Sequence, residues 1–226
     1  MTTPELRAEA IEVAKRFRMG PLFTPPSLAD ASDGTGGAFS VPGAWGGANI
    51  PGGASFDPET GMFYVATVRG ASVYAMVPGE AQGSNAGYVS KSGAGARVQR
   101  LPILKPPWSS IVDIDMNTGE HLWWIPVGDT PQRYLDHPML EGVELPESTG
   151  TGRQAAQIVT PNLLIYSGAA SDGTGMLYAV DKATGERLGA VELPVSVRYG
   201  IMTYMHEGQQ HIVVQATNNL TALKLR

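Results

Sequence analysis

Hydrophobic positions along this chain recur with two periods, and the change from one to the other falls early. Leu6, Ala10, Val13, Ala14 and Phe17 keep helical spacing until Gly20-Pro21 stops the run. Thr3-Pro4-Glu5 supplies a capping hydroxyl, a proline whose fixed φ suits the first turn, and an acid at the positive helix end. One short N-terminal amphipathic helix is predicted. Beyond Pro21 the helical period disappears. Apolar runs at 62–68, 72–77, 109–115, 121–127, 162–168, 176–181, 201–205 and 211–217 take its place, separated by Gly, Asn and Asp. Strands at such spacing predict an all-β sandwich, barrel or propeller. Residues 78–107 and 128–156, rich in Gly, Pro and Ser, read as longer loops of the kind that often carries function.

A repeat narrows the choice. Residues 57–61, 115–119 and 181–185 all spell D-x-x-T-G, each between two apolar runs. The aspartate closes a turn with its carboxylate and the glycine supplies the positive φ that joins antiparallel strands. Trp123 follows the second glycine by four residues, a place from which it can pack between neighbouring sheets. Repeated units of about four strands are the mark of propeller blades. The segment ASDGTG also occurs twice, at 31–36 and 170–175, and reads as a generic Asp-Gly turn.

Composition agrees with this reading. Apolar residues make up 42% of the 226 and charged residues 16%, with 28 glycines and 17 prolines, which suits a loop-rich β protein rather than a helical bundle. The net charge of −5, without a run of like charge, argues against nucleic acid or an anionic membrane as partner. With no cysteine, disulfides, zinc-thiolate sites and thiol nucleophiles are excluded. No apolar stretch reaches the ~20 residues of a membrane span. Glu5, Glu9 and Glu12 interrupt the place where a signal peptide would have its apolar core, so no leader is expected here.

The glycine-rich stretch GGANIPGGASFDPETGMFYV at 46–65 invites comparison with a phosphate cradle. It lacks the G-K-[ST] of a P-loop and opens no helix, as a dinucleotide fingerprint must. Its glycines instead let backbone lie close to backbone, or to a flat ligand, at the end of a blade.

Together with GPLFTPPSL, LKPPW, VDIDMNTGEHLWWIPVGDTP, LDHP and MTYMHEGQQHIVV, this stretch resembles the C-terminal part of the quinoprotein dehydrogenases that use pyrroloquinoline quinone (PQQ). The glucose-dehydrogenase-like branch, whose members are membrane-bound, is the most similar, and the likeness runs from about Pro4 to about Gln215. The D-x-x-T-G repeat with its tryptophan matches the family's tryptophan-docking motif. The resemblance implies a partial β-propeller of about three to four antiparallel four-stranded blades from an eight-bladed family, with the short helix ahead of it. A single partial propeller domain over 1–226 is expected, with residues 1–20 as helix and linker and 21–226 as blades. Family members are typically periplasmic, hold PQQ and calcium on the propeller axis, and oxidise sugars or alcohols, passing electrons to a quinone or cytochrome. The family's calcium ligands and catalytic aspartate have no counterpart in this chain, so no metal ligand is assigned.

For the cofactor, the resemblance singles out Asn49 in GGAN, whose amide would donate to a quinone oxygen, and places Arg153 and Gln154 in the neighbourhood facing the quinone. The chain departs from the pattern at Ile50-Pro51, where relatives often have Trp, and at Ala155-Ala156-Gln157, where they often have Gly-Gly-Pro. Elsewhere the plainer reading is preferred. Trp108, after Lys105 in KPPW, reads as packed core or a propeller-face aromatic rather than a stacking platform. His137 beside Asp136 reads as a surface histidine, since no nucleophile motif accompanies the pair. His206 and His211 flank a hairpin and lack further ligands for a metal. The sequon at Asn219 is incidental.

The function expected is that of a C-terminal segment of a PQQ-dependent dehydrogenase supplying one wall of the PQQ site. The alternative is a non-catalytic propeller module acting in structure or interaction, or a truncated remnant. An open set of blades exposes apolar faces, so self-association or a covering partner is expected.

Overall fold

A computed structural model describes the chain except residues 1–2, 22, 45, 49–51, 93–95, 198, 217 and 225–226. Helix α1 spans Pro4–Ala14, and its first turn is capped as expected: the Leu6 N–H donates to Thr3 Oγ1 at 3.2 Å. Strands β1 (Ala38–Ser40), β2 (Gly47–Ala48), β3 (Ala54–Asp57), β4 (Met62–Val68) and β5 (Ser72–Pro78) follow. Next come β6 (Tyr88–Ser92), β7 (Arg97–Val98), β8 (Leu101–Pro102), β9 (Ser109–Asp115), β10 (His121–Pro126) and a one-turn helix α2 (Gln132–Leu135). The remaining strands are β11 (Gln157–Val159), β12 (Leu163–Ala169), β13 (Gly175–Asp181), β14 (Arg187–Glu192), β15 (Ile201–His206), β16 (Gln209–Ala216) and β17 (Asn219–Lys224).

The chain forms two compact units, one of residues 1–47, 69–105 and 137–143, the other of 48–68, 106–136 and 144–226. In the first, β1, β5 and β6 make an antiparallel sheet in the order β1-β5-β6, and β7 pairs with β8. Leu6 and Ala10, one turn apart on α1, line a small apolar cavity with Val98 and Leu101. The sequence 78–107, expected as loop, therefore contains β6, β7 and β8. These strands are short and pair locally, so they leave little periodic signal.

The second unit is a stack of antiparallel meanders. The first blade runs β3-β4-β9-β10, its sheet also taking β2 beside β4; the second runs β11-β12-β13-β14 and the third β15-β16-β17. Alternation along β12 and β13 explains the stack, because side chains two apart share a face. Leu164 and Tyr166 of β12, with Tyr178 and Val180 of β13, pack with Tyr64, Ile111 and Val127. Ile165 and Leu177 point the other way, into a second cluster with Leu193, Val197, Ile212 and Val214. A sheet covered on both faces reads as an unbroken apolar run, which is what 163–169 shows. These stacked antiparallel sheets are propeller blades, and among the described residues the fold is mostly β with one short helix of more than a single turn.

The repeated motif builds the turns at one end of the blades. In each copy the glycine has positive φ, at 77°, 80° and 74° for Gly61, Gly119 and Gly185. Each glycine N–H donates to the motif's aspartate carbonyl, and each aspartate carboxylate accepts a backbone N–H two residues on. Trp123 projects from β10 onto the third turn: its Nε1 donates to the Lys182 carbonyl at 3.3 Å. Tyr64 OH donates to the same oxygen at 3.2 Å, and Lys182 Nζ meets Asp57 Oδ2 at 2.5 Å. The sequence expectation for Trp123 holds, and the docking surface is the next blade's turn.

This geometry yields a paired test. Gly119→Ala and Gly185→Ala each force a side chain into positive φ, at a cost of roughly 1–2 kcal/mol. A Cβ at 119 meets nothing within 4 Å, whereas one at 185 would lie 3.0 Å from the Trp123 ring. Gly185→Ala should therefore destabilise more in denaturant titrations, and the excess should shrink in a Trp123→Ala background, with the 3.1 Å approach to Ile125 left behind.

The Asp57–Lys182 pair gives a second. Hydrogen bonds from Lys182, then from Thr60, hold the Asp57 carboxyl down at about 2 against its usual 3.8. The folded value is depressed, so its stabilisation is present above about pH 4 and lost as pH falls towards 2. Asp57→Asn should lower stability at neutral pH and reduce the loss seen on acidification across that window, measured by unfolding midpoints.

Candidate functional site

In the antiparallel meanders, the β11–β12 and β13–β14 turns lie at one end of the second blade. The β12–β13 turn and the connection from β10 to β11 lie at the other. That connection is the segment expected from sequence to be a long functional loop, and in the second unit it is tightly laced. Val127 N–H donates to Ser109 O at 3.0 Å, Thr151 N–H to Val127 O at 2.9 Å, and Thr130 N–H to Glu147 O at 2.9 Å. Two further bonds tie it to the β12–β13 turn, from Asp129 N–H to Ala169 O at 2.9 Å and from Gln132 N–H to Ser171 O at 2.8 Å.

Close backbone approach makes this possible. A Cβ at Gly128 would lie 2.8 Å from Ala169 O, and one at Gly150 would lie 2.3 Å from Ser109 O; both residues have positive φ. Beneath the loop, buried Trp108 packs its ring 4.7 Å from that of Tyr134. Arg187 fixes the outer side by donating to Asp129 Oδ1 at 2.8 Å and lying 4.1 Å over the Tyr178 ring.

Between loop and turn lies an open cavity of about 200 Å³, whose polar lining includes Gln132, Arg133, Thr151, Arg153, Ser171 and Asp172. Both arginines are exposed. Arg133 lies over the Tyr134 ring and donates to its hydroxyl at 3.2 Å, and neither arginine has a carboxylate partner among the described residues. The Asp172 carboxylate accepts from Thr174 N–H at 2.8 Å, and that bond holds its pKa below the ordinary range. Two guanidiniums without carboxylate partners, and hydroxyl and amide groups that can donate, thus share the lining with the Asp172 carboxylate, a donor set that can pair with carboxylates.

The comparisons with known proteins decide the family. Residues 1–212 match the domain family described as PQQ, glucose/ethanol/alcohol dehydrogenase, beta-propeller domain. The chain belongs to this PQQ dehydrogenase family. A probable quinate dehydrogenase (quinone) of Xanthomonas campestris pv. juglandis is 28% identical over 223 residues, covering 89% of this chain and 27% of the relative. The glycerol dehydrogenase large subunit of Gluconobacter thailandicus is 32% identical over 113 residues, covering 50% of this chain and 15% of the relative. The chain thus spans about a quarter or less of these relatives. Among solved structures, a quinohemoprotein alcohol dehydrogenase from Pseudomonas putida HK5 shares the fold with a TM-score of 0.50 at 17% identity, covering 81% of this chain and 24% of that one.

Within this PQQ-family chain the expected site residues separate. Arg153 lines the cavity, while Gln154 is half-buried beside it and outside the lining. Asn49 lies outside the described residues. Arg133 escaped the sequence reading because a lone arginine in a loop has no motif around it. The second ASDGTG was read as a bland turn, and its Asp172 does close one on Thr174; the same turn also forms a wall of the cavity. The first copy folds alike, with Asp33 Oδ1 accepting from Thr35 N–H at 2.9 Å.

The other candidates sit in ordinary packing and hydrogen-bonding surroundings, with His137 half-buried. Trp108 is core. His137 Nδ1 accepts from Met139 N–H at 3.2 Å and its Nε2 lies 2.9 Å from Gln99 O, so the neutral ring with the proton on Nε2 satisfies both. Asp136 instead accepts from Gln132 Nε2 at 2.8 Å. His206 and His211 stand 6.2 Å apart between ring centres, with Tyr204 stacked on His211. No group of three or more metal-ligating side chains occurs among the described residues.

Proposed function

We propose that this chain is the C-terminal blade segment of a PQQ-dependent dehydrogenase for a sugar or alcohol, and that the cavity between the 127–136 and 150–154 strands of loop and the 170–174 turn is its wall of the cofactor site. The observation that carries this reading is the pair of guanidiniums without a carboxylate partner, Arg133 and Arg153, converging on one cavity at the loop end of two blades. PQQ is a flat tricarboxylate, and the donor set fits it: planar guanidiniums grip carboxylates in pairs of hydrogen bonds. When bound, the quinone would supply the two-electron acceptor of the reaction. The chain's own residues bind and orient. Arg133 and Arg153 hold carboxylates, Thr151 and Ser171 offer hydroxyls, and Asn49 is assigned to a quinone oxygen. The Arg187–Asp129 pair and the ties to Ala169 and Ser171 keep the loop from yielding when an anion binds. A periplasmic location and electron transfer to a quinone or cytochrome accompany this reading as family traits.

A titration with PQQ, with and without calcium, read by heat and absorbance, tests it. One saturable site is expected, weakened roughly tenfold or more by Arg153→Gln or Arg133→Gln, as loss of a charge-assisted bond of about 1.5–3 kcal/mol requires. Absence of saturation in a folded sample, or variants that bind like the parent chain, would contradict it.

One observation favours the alternative of an interaction module. The third blade leaves Met202 and Leu220 53% and 75% exposed, with Tyr204 exposed beside them, and the first blade leaves Phe56, Leu122 and Trp124 exposed, so apolar side chains stand open on both outer blades. Self-association or a covering partner is proposed on either reading. Light scattering should give a mass above that of one chain; a stable monomer would contradict it.

A further inference from the structure

One row of residues crosses the first blade in register, one from each strand: Ser55, Tyr64, Asp113 and Trp123. Three of them are tied to the second blade. Ser55 Oγ donates to Gln157 O at 3.2 Å, and Tyr64 and Trp123 both donate to Lys182 O. Asp113 is the exception. It is 1% exposed, and neither carboxylate oxygen has a hydrogen-bond partner among the described residues. Native proteins seldom leave such atoms unsatisfied.

The chain's own repeat shows what this position otherwise holds. Two residues before the motif aspartate, Asp113 corresponds to Ala179; four past the motif glycine, Trp123 corresponds to Gly189. Ala179 and Gly189 are paired in register as Asp113 and Trp123 are. The equivalent row of the second blade, Ile158-Ile165-Ala179-Gly189, carries no polar side chain. In the first blade a carboxyl thus stands where its repeat has a methyl, in the row that docks the two blades together.

A buried carboxyl without partners is tolerated neutral and disfavoured once ionised. We propose that Asp113 makes the seam between the first and second blades a pH-sensitive joint, closed while its carboxyl is protonated and loosened when it ionises. The surrounding charges offer little relief. Asp115 on the same strand is an acid, as are Asp57 and Asp181 near Tyr64, and Lys182 is already engaged by Asp57 at 2.5 Å. Burial keeps the Tyr64 phenol neutral, and exposed His121 on β10 pairs with Ile114 rather than with Asp113. Burial, and then the Asp115 charge, push the Asp113 carboxyl up to about 6 from its usual 3.8. Because the folded value is the higher one, the seam is strongest below about pH 4, weakens as pH rises through about 6, and changes little beyond.

Thermal unfolding of the full chain and of its Asp113→Ala and Asp113→Asn variants, followed between about pH 4.5 and pH 7.5 by tryptophan fluorescence, tests the joint. The parent midpoint should fall by several degrees across this window, with both variants losing that slope and Asp113→Ala melting above the parent at the upper end. Asparagine, nearly isosteric, keeps the test open should alanine fail to fold. A parent midpoint that stays level, or variants that keep the parent slope, would overturn the proposal.

Discussion

The carbonyl of Lys182 is the fixed point of the second unit. It accepts hydrogen bonds from Trp123 and Tyr64, on the outer and second strands of one blade, and it belongs to a turn of the next. Lys182 is half-buried, and its carbonyl is paired by two aromatic donors that also bring large apolar surfaces to the seam. Gly185 follows directly: only a residue without a side chain leaves room for the Trp123 ring. The tyrosines behind it, Tyr64, Tyr166 and Tyr178, fill the space between the blades. At the far end of the same sheets, the loop and turn that line the arginine cavity depend on this stack for their spacing.

Much of this was legible in the sequence because it is periodic. Each of the eight apolar runs coincides with a strand to within a residue among the described residues, and the D-x-x-T-G repeat marked three turns and the docking tryptophan. What escaped was aperiodic. The β14 segment is exposed along its whole length and carries Gly189 at its centre, so neither alternation nor a continuous apolar run marks it. The β17 segment, NLTALK, alternates weakly for the same reason. In β6, β7 and β8 the strands are too short for a period to register, and their pairing is a tertiary outcome.

The candidate site was legible only in part, and for a different reason. Arg153 came from the family pattern, but Arg133 and the 170–174 turn are brought to it by loop closure across the chain, which no local pattern encodes. The glycines at 128 and 150 hint at it, since each permits an approach that a Cβ would block. Internal comparison of the repeats was more informative than either motif alone. Aligning the blades shows Asp113 and Trp123 standing where the second blade has Ala179 and Gly189, and so singles out the one carboxyl in that row.

The central claim is that the loop end of this blade pair, rather than the turn end that carries the repeated motif, is the cofactor wall. Hydrogen–deuterium exchange of the chain with and without saturating PQQ addresses it directly. The account predicts slowed exchange in residues 128–136, 150–154 and 170–174 and at Asn49, with the 57–61, 115–119 and 181–185 turns unchanged. Protection centred on those turns, or none at saturation, would contradict it.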